Sequence, residues 1–193
     1  MHPLRVIAAA AALLFAACGS EPQERAAAPA PRHELDVDLR KHPWPGLDNN
    51  HTKLVPAPIE VGPPSNVQAQ LILPSRGRAG VFCGRYGVAA GADGRYGVYR
   101  LVEGRAPERV HGGRVEPGGR SDPGEPTVVR LVCGERRKGR PVVIGFMINA
   151  SPIAFAQDDD PRGAEAPGRV GALRIGPARD ARYLRFIATE EMP

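Results

Sequence analysis

The chain has 193 residues, of which 23 are glycine and 21 proline, a composition that excludes long helices and favours turn-rich β structure. Its net charge of +5 comes from 23 arginines and 3 lysines, set against 21 acidic residues scattered among them; this argues against a nucleic-acid footprint. Alternating apolar runs beyond residue 66 exclude a wholly disordered chain.

In chain order, residues 1–17 have a secretory design. Arg5 supplies a positive start, and Val6 to Ala17 is an unbroken apolar run ending in small residues before Cys18. As a helix this run would reach about 18 Å, short of the roughly 30 Å of bilayer hydrocarbon, so a cleaved signal fits better than a membrane span. The segment Leu14-Phe15-Ala16-Ala17-Cys18 resembles the lipobox of bacterial lipoproteins. That resemblance implies cleavage after Ala17, lipid attachment at Cys18 and anchoring by two or three acyl chains, which hold a protein durably on a membrane. Gly19-Ser20 follows the cysteine where this family uses aspartate for inner-membrane retention. The resemblance therefore implies the outer membrane; the chain is expected to face the periplasm, with the cell surface as the alternative.

Gly19 to Arg32 alternates Ala, Pro, Glu and Arg without an apolar period, as a flexible tether does. The domain boundaries that follow are a signal peptide over 1–17, a lipid-anchored tether over 18–54 and a β domain over 55–193. Within the tether, Leu35 and Leu39 fall four apart, which predicts one or two helical turns over Glu34–Arg40, ended by Pro43. Trp44 lies between prolines. It can plug onto the domain edge or present an exposed indole to membrane, glycan or partner.

From about Asn66 the pattern is β. Strands are predicted over 66–73, 81–88, 96–102, 127–133, 141–148, 153–156, 170–175 and 183–188. The fold class is therefore all-β, an antiparallel sandwich or barrel of about eight strands. Gly91-Ala92-Asp93-Gly94 reads as a hairpin turn, and Arg85-Tyr86-Gly87-Val88 recurs as Arg95-Tyr96-Gly97-Val98, as two arms of one hairpin would. Arg105 to Pro126 reads as a long loop with too few β formers for a strand. Pro141 to Ile148 is apolar on both faces and is the predicted central strand. With Cys18 assigned to lipid, Cys83 and Cys133 remain, and an oxidising compartment favours a disulfide between them.

No catalytic motif stands out. Arg136, Arg137, Lys138 and Arg140 form a basic hairpin tip that suits phosphates or carboxylates, or serves as a solvated charge cluster. Asp158-Asp159-Asp160 lacks the alternate spacing of a calcium loop and reads as a solvated acidic loop. No histidine is spaced with a second histidine or a cysteine for metal binding, and no serine lies in Gly-x-Ser-x-Gly. Neither a cofactor nor a metal is expected. The sequence reading is a non-enzymatic outer-membrane lipoprotein whose β domain binds a protein partner of an envelope assembly or secretion apparatus. The alternative is a glycan- or lipid-binding module using Trp44, Tyr86, Tyr96, Tyr99 and the arginines, and its mark would be an aromatic-lined groove.

Overall fold

A computed structural model of the protein describes residues 34–44, 47, 54–61, 65–102, 105–133, 141–159 and 168–190. Cys18 and the tip residues Arg136, Arg137, Lys138 and Arg140 lie outside the described residues. Twelve strands run through those described: β1 (Glu34–Asp38), β2 (Leu54–Val61), β3 (Ser65–Ile72), β4 (Arg78–Cys83), β5 (Tyr86–Ala90), β6 (Arg95–Arg100), β7 (Glu108–Arg114), β8 (Pro126–Cys133), β9 (Val142–Ile148), β10 (Ala154–Asp158), β11 (Gly168–Ile175) and β12 (Arg182–Thr189). They form two six-stranded sheets, ordered β1-β12-β3-β8-β9-β10 and β2-β11-β4-β5-β6-β7, one of them curled. The antiparallel sandwich is as the alternating runs predict.

The strands beyond the eight expected have identifiable causes. Val81–Val88 is two strands, because Gly84 takes φ 54° and turns the chain so that Cys83 faces Tyr86. β2 carries Pro56 and Pro58, which hide its strand character; it is a sheet edge paired only with β11, where a missing N–H is tolerated. β7 is also an edge, with Val110 its only strong β former, and its backbone pairs along β6. The helical expectation over Glu34–Arg40 is corrected to a strand. Leu35 and Val37 alternate inward opposite Ala188 and Phe186, so the operative period is two rather than four. β9 is corrected from the central strand to the second from an edge, with β3 and β8 at the centre. Its second apolar face is open: Val143 is 47% exposed.

Between the sheets, Val67, Leu71, Val81, Val88, Val98, Leu131 and Phe186 are fully buried, and Trp44 sets its ring edge-on to Phe186 at 5.0 Å. A second cluster of Phe82, Ala89, Tyr99, Leu101 and Leu173 lies on the opposite face of the second sheet. Two glycines in this sheet stand where a side chain would meet neighbouring backbone. A Cβ at Gly80 would meet the Val88 carbonyl oxygen at 2.0 Å, and one at Gly171 would meet that of Val55 at 2.2 Å. The Cys83–Cys133 disulfide forms as expected, with Cα atoms 6.2 Å apart, and joins the end of β4 in one sheet to the end of β8 in the other. The Arg85/Arg95 repeat does form two arms of one hairpin, with Val88 opposite Val98.

At the β1 edge, Arg185 Nε donates to Asp36 Oδ1 at 2.8 Å, and its Nη2 pairs with Oδ2. The hydrogen bond from Arg185 holds the Asp36 carboxyl below its usual value. A carboxylate whose pKa is depressed on folding contributes stability above its unfolded value of about 3.9, and that contribution is lost as the pH falls through the folded value. Acidification from about pH 6 to about pH 3 is therefore expected to lower amide-exchange protection in β1 more than in β3. An equal fall in both strands would refute the latch.

Candidate ligand-binding groove

β7 and β10 are edges of different sheets, and they approach one another. Their flanks enclose an open groove of about 240 Å³, lined by Tyr96, Arg114, Glu116, Phe146, Ser151 and Ile153 among others. Tyr96 reaches it because Gly113 stands opposite on β7: a Cβ there would meet the Tyr96 hydroxyl at 2.9 Å. Tyr96 and Phe146 have ring centroids 5.1 Å apart, and His111 lies 6.1 Å from Tyr96 and 6.2 Å from Phe146. The Tyr96 hydroxyl is 3.4 Å from His111 Nε2. Phe146 is nearly buried, Tyr96 half-buried and His111 exposed, so the rings grade from core to solvent. Ile153 adds an apolar wall, 51% exposed. Among the described residues, the exposed side chains of Arg114 and Glu116 have no ion-pair or hydrogen-bond partner.

A buried polar clamp holds the two edges together. Arg100 on β6 donates from Nε to Asp158 Oδ2 at 2.7 Å, pairs through Nη2 with Oδ1, and donates from Nη1 to Glu108 Oε2 at 2.9 Å. The Tyr86 hydroxyl donates to Asp158 Oδ2 at 2.8 Å. Burial, then the bond to Asp158, pushes the Tyr86 phenol well above its usual value. The clamp thus ties β5, β6 and β7 of one sheet to β10 of the other. Asp158 is corrected from a solvated loop residue to a buried strand residue, because Arg100 and Tyr86 satisfy its carboxylate.

Of the four aromatics proposed for binding, only Tyr96 lines the groove. Trp44 is half-buried on Phe186, Tyr86 belongs to the clamp, and Tyr99 is buried beside Phe82 and Leu173. Sequence reasoning missed Phe146 by assigning it wholly to the core, and missed Arg114, Glu116 and Ile153 because nothing local marks an edge-to-edge groove. Asn149 takes φ 53° at the end of β9. Its amide nitrogen donates to the Gly119 carbonyl and the Ser121 hydroxyl, at 2.7 and 3.0 Å, so the group is committed to the fold. Among the described residues no three His, Cys, Asp or Glu side chains cluster for a metal.

No family model and no curated protein matches the sequence. Among solved structures, the chain is similar to sheep galectin-11 in complex with glycerol, at TM-score 0.46 and 14% identity over 69% of this chain and 95% of that one. It is also similar to scytalido-glutamic peptidase with a peptide-based transition-state analogue (TM-score 0.31, 13% identity, 72% and 64% covered). A third similarity is to the alginate lyase from Klebsiella pneumoniae (TM-score 0.24, 13% identity, 67% and 58% covered). None of these likenesses bears on ligand or activity. The chain stands as a two-sheet antiparallel β-sandwich with an aromatic groove between two strand edges.

Proposed function

We propose that this chain is a non-catalytic glycan-binding module of the bacterial envelope, anchored through Cys18 to the outer membrane and facing the periplasm. The groove lined by Tyr96 and Phe146, whose rings lie 5.1 Å apart, carries this reading. Sugar rings present apolar C–H faces that pack on aromatic rings, while Ser151 and Glu116 offer hydrogen-bond partners for hydroxyls. Glycoside hydrolysis ordinarily requires two carboxylates across the scissile bond, and Glu116 is the one carboxylate among the described lining residues.

Tyr96→Ala is expected to weaken oligosaccharide binding, measured by titration calorimetry, by about 0.5–1.5 kcal/mol, up to roughly tenfold. Unchanged affinity, or no binding to any oligosaccharide tried, would overturn the glycan reading. Cys18→Ser is expected to move the protein to the soluble fraction of fractionated cells. Retention on membranes after a high-salt wash would overturn the anchor.

A second reading, a protein partner in an envelope assembly, is favoured by a different observation. Val143, Ile153 and Phe155, at 47%, 51% and 66% exposed, all lie on the β9–β10 hairpin, which ends in an edge strand. Apolar side chains beside an unpaired edge suit docking of another chain.

A further inference from the structure

We propose that one end of the sandwich, beside β1, is a membrane-docking surface, where Arg76, Arg179 and Arg182 with their basic neighbours meet the phosphate headgroups of an anionic bilayer. None of these residues lines the Tyr96 groove, so the surface is separate from the proposed glycan site.

Two connections cross between the sheets side by side at this end. Residues 73–77 join β3 to β4, and residues 176–181 join β11 to β12. Gly77 takes φ 78°, and a Cβ there would meet the Ile175 carbonyl oxygen at 2.5 Å and the Ala178 nitrogen at 3.1 Å, so glycine lets the two arches touch. The Ser75 N–H donates to Asp180 Oδ2 at 2.8 Å and ties one arch to the other. The residues after β1 join the same end, since the Leu39 N–H donates to the Leu184 carbonyl at 2.9 Å.

This end carries Arg40, Lys41, Arg76, Arg78, Arg179 and Arg182 against Asp38 and Asp180, a surplus of four positive charges. Asp93, on the adjoining β5–β6 turn, is matched by Arg95 at 3.7 Å. Both carboxylates of the end are committed. Asp38 is held by Arg40 at 2.8 Å and lies 4.0 Å from Lys41, while Asp180 accepts from Ser75. Among the described residues Arg76, Arg78, Arg179 and Arg182 make no ion pair or side-chain hydrogen bond. Elsewhere the protein does hold its arginines: Arg100 by Asp158 and Glu108, Arg130 by Asn66 and Arg185 by Asp36. Arg40, Lys41, Arg76, Arg179 and Arg182 are exposed.

Guanidinium groups match phosphate oxygens with paired N–H donors and keep their charge at every physiological pH. Exposed on turn apices, these side chains offer a surface of charge rather than a cradle for one small ion, which suits many headgroups in a plane. The chain geometry allows it. Glu34 is opposite Thr189, at the far end of β12 from Arg182, about 23 Å away along the strand. Fifteen residues lie between Cys18 and Glu34 and span at most about 50 Å. Acyl chains on Cys18 and the arches can therefore reach one bilayer, and a basic patch is the kind of second signal that steadies a lipid anchor.

The test is co-sedimentation of the full chain carrying Cys18→Ser, which removes acyl attachment, with vesicles of phosphatidylcholine alone or with about one-third phosphatidylglycerol. The chain is expected to bind the anionic vesicles about a hundredfold more tightly, and to lose this preference as salt rises toward about 1 M. Arg76→Gln, Arg179→Gln and Arg182→Gln combined are expected to remove it, at about fivefold per arginine, with an unchanged melting temperature. Lysine at the same three positions is expected to retain it. Equal binding to both vesicles, or a preference that survives the glutamine variant, would overturn the proposal. Binding to soluble polyphosphate as tight as to anionic vesicles would also overturn it, and would assign the arches to a soluble polyanion.

Discussion

Asp158→Ala is expected to lower the unfolding free energy by about 3–5 kcal/mol, measured by urea denaturation. Asp158 is 5% exposed, and both of its oxygens face Arg100. Removing the carboxylate takes away the buried partner of a guanidinium in the interior, while Glu108, another of its carboxylate partners, is 38% exposed. The cost comes from stranding a charge away from water rather than from the worth of the pair. Against a typical stability of about 5–15 kcal/mol the loss is large. Tyr86→Phe removes one hydrogen bond and leaves the ion pair, so it is expected to cost only about 0.5–1.5 kcal/mol. A loss below about 1 kcal/mol for Asp158→Ala would show that water reaches Arg100, and that the clamp does not hold the sheets together.

Replacing both Cys83 and Cys133 with serine is expected to cost about 4 kcal/mol. The bond closes a loop with a sequence separation of 50, and the chain-entropy account of such a loop gives roughly that figure, within a measured range of about 2–5 kcal/mol. It also links opposite sheets, so its loss frees β4 from β8 at one end. Cys83 is opposite Tyr86, which belongs to the Arg100–Asp158 clamp. The two losses are therefore neighbours and are not expected to add. An unchanged urea midpoint after reduction would refute a structural role for the bond.

Much of the sandwich was legible in the sequence because alternation is a local signal. Ser65–Ile72 alternates buried and half-buried residues along its whole length, as its apolar positions predict. The hairpin at 91–94 was an equally local inference, whereas the cysteine pairing, across a separation of 50, followed from there being two cysteines beyond Cys18. The edges were harder to read. An edge strand borrows its order from one neighbour and needs few β formers, so β7 with its glycines and β2 with its prolines resemble loops. The groove lies between two such edges, so its residues come from segments with no sequence proximity. Tyr96 on β6 meets Phe146 on β9 across the two sheets, and the nearby Arg100–Asp158 pairing across 58 residues leaves no local trace. Charge misled at Asp158, since three consecutive aspartates look like solvent-facing acid until the buried partner is known.

β1 and β10 occupy opposite margins of the same sheet, with four strands between them. At about 4.8 Å per strand, roughly 24 Å separates the margin where the described chain enters from the one that walls the groove. A mechanical load arriving through the amino-terminal segment would first shear the five residue pairs of β1 against β12. The far rim would feel it last. The groove and the strand that would take such a load are thereby placed at separate ends of the sheet.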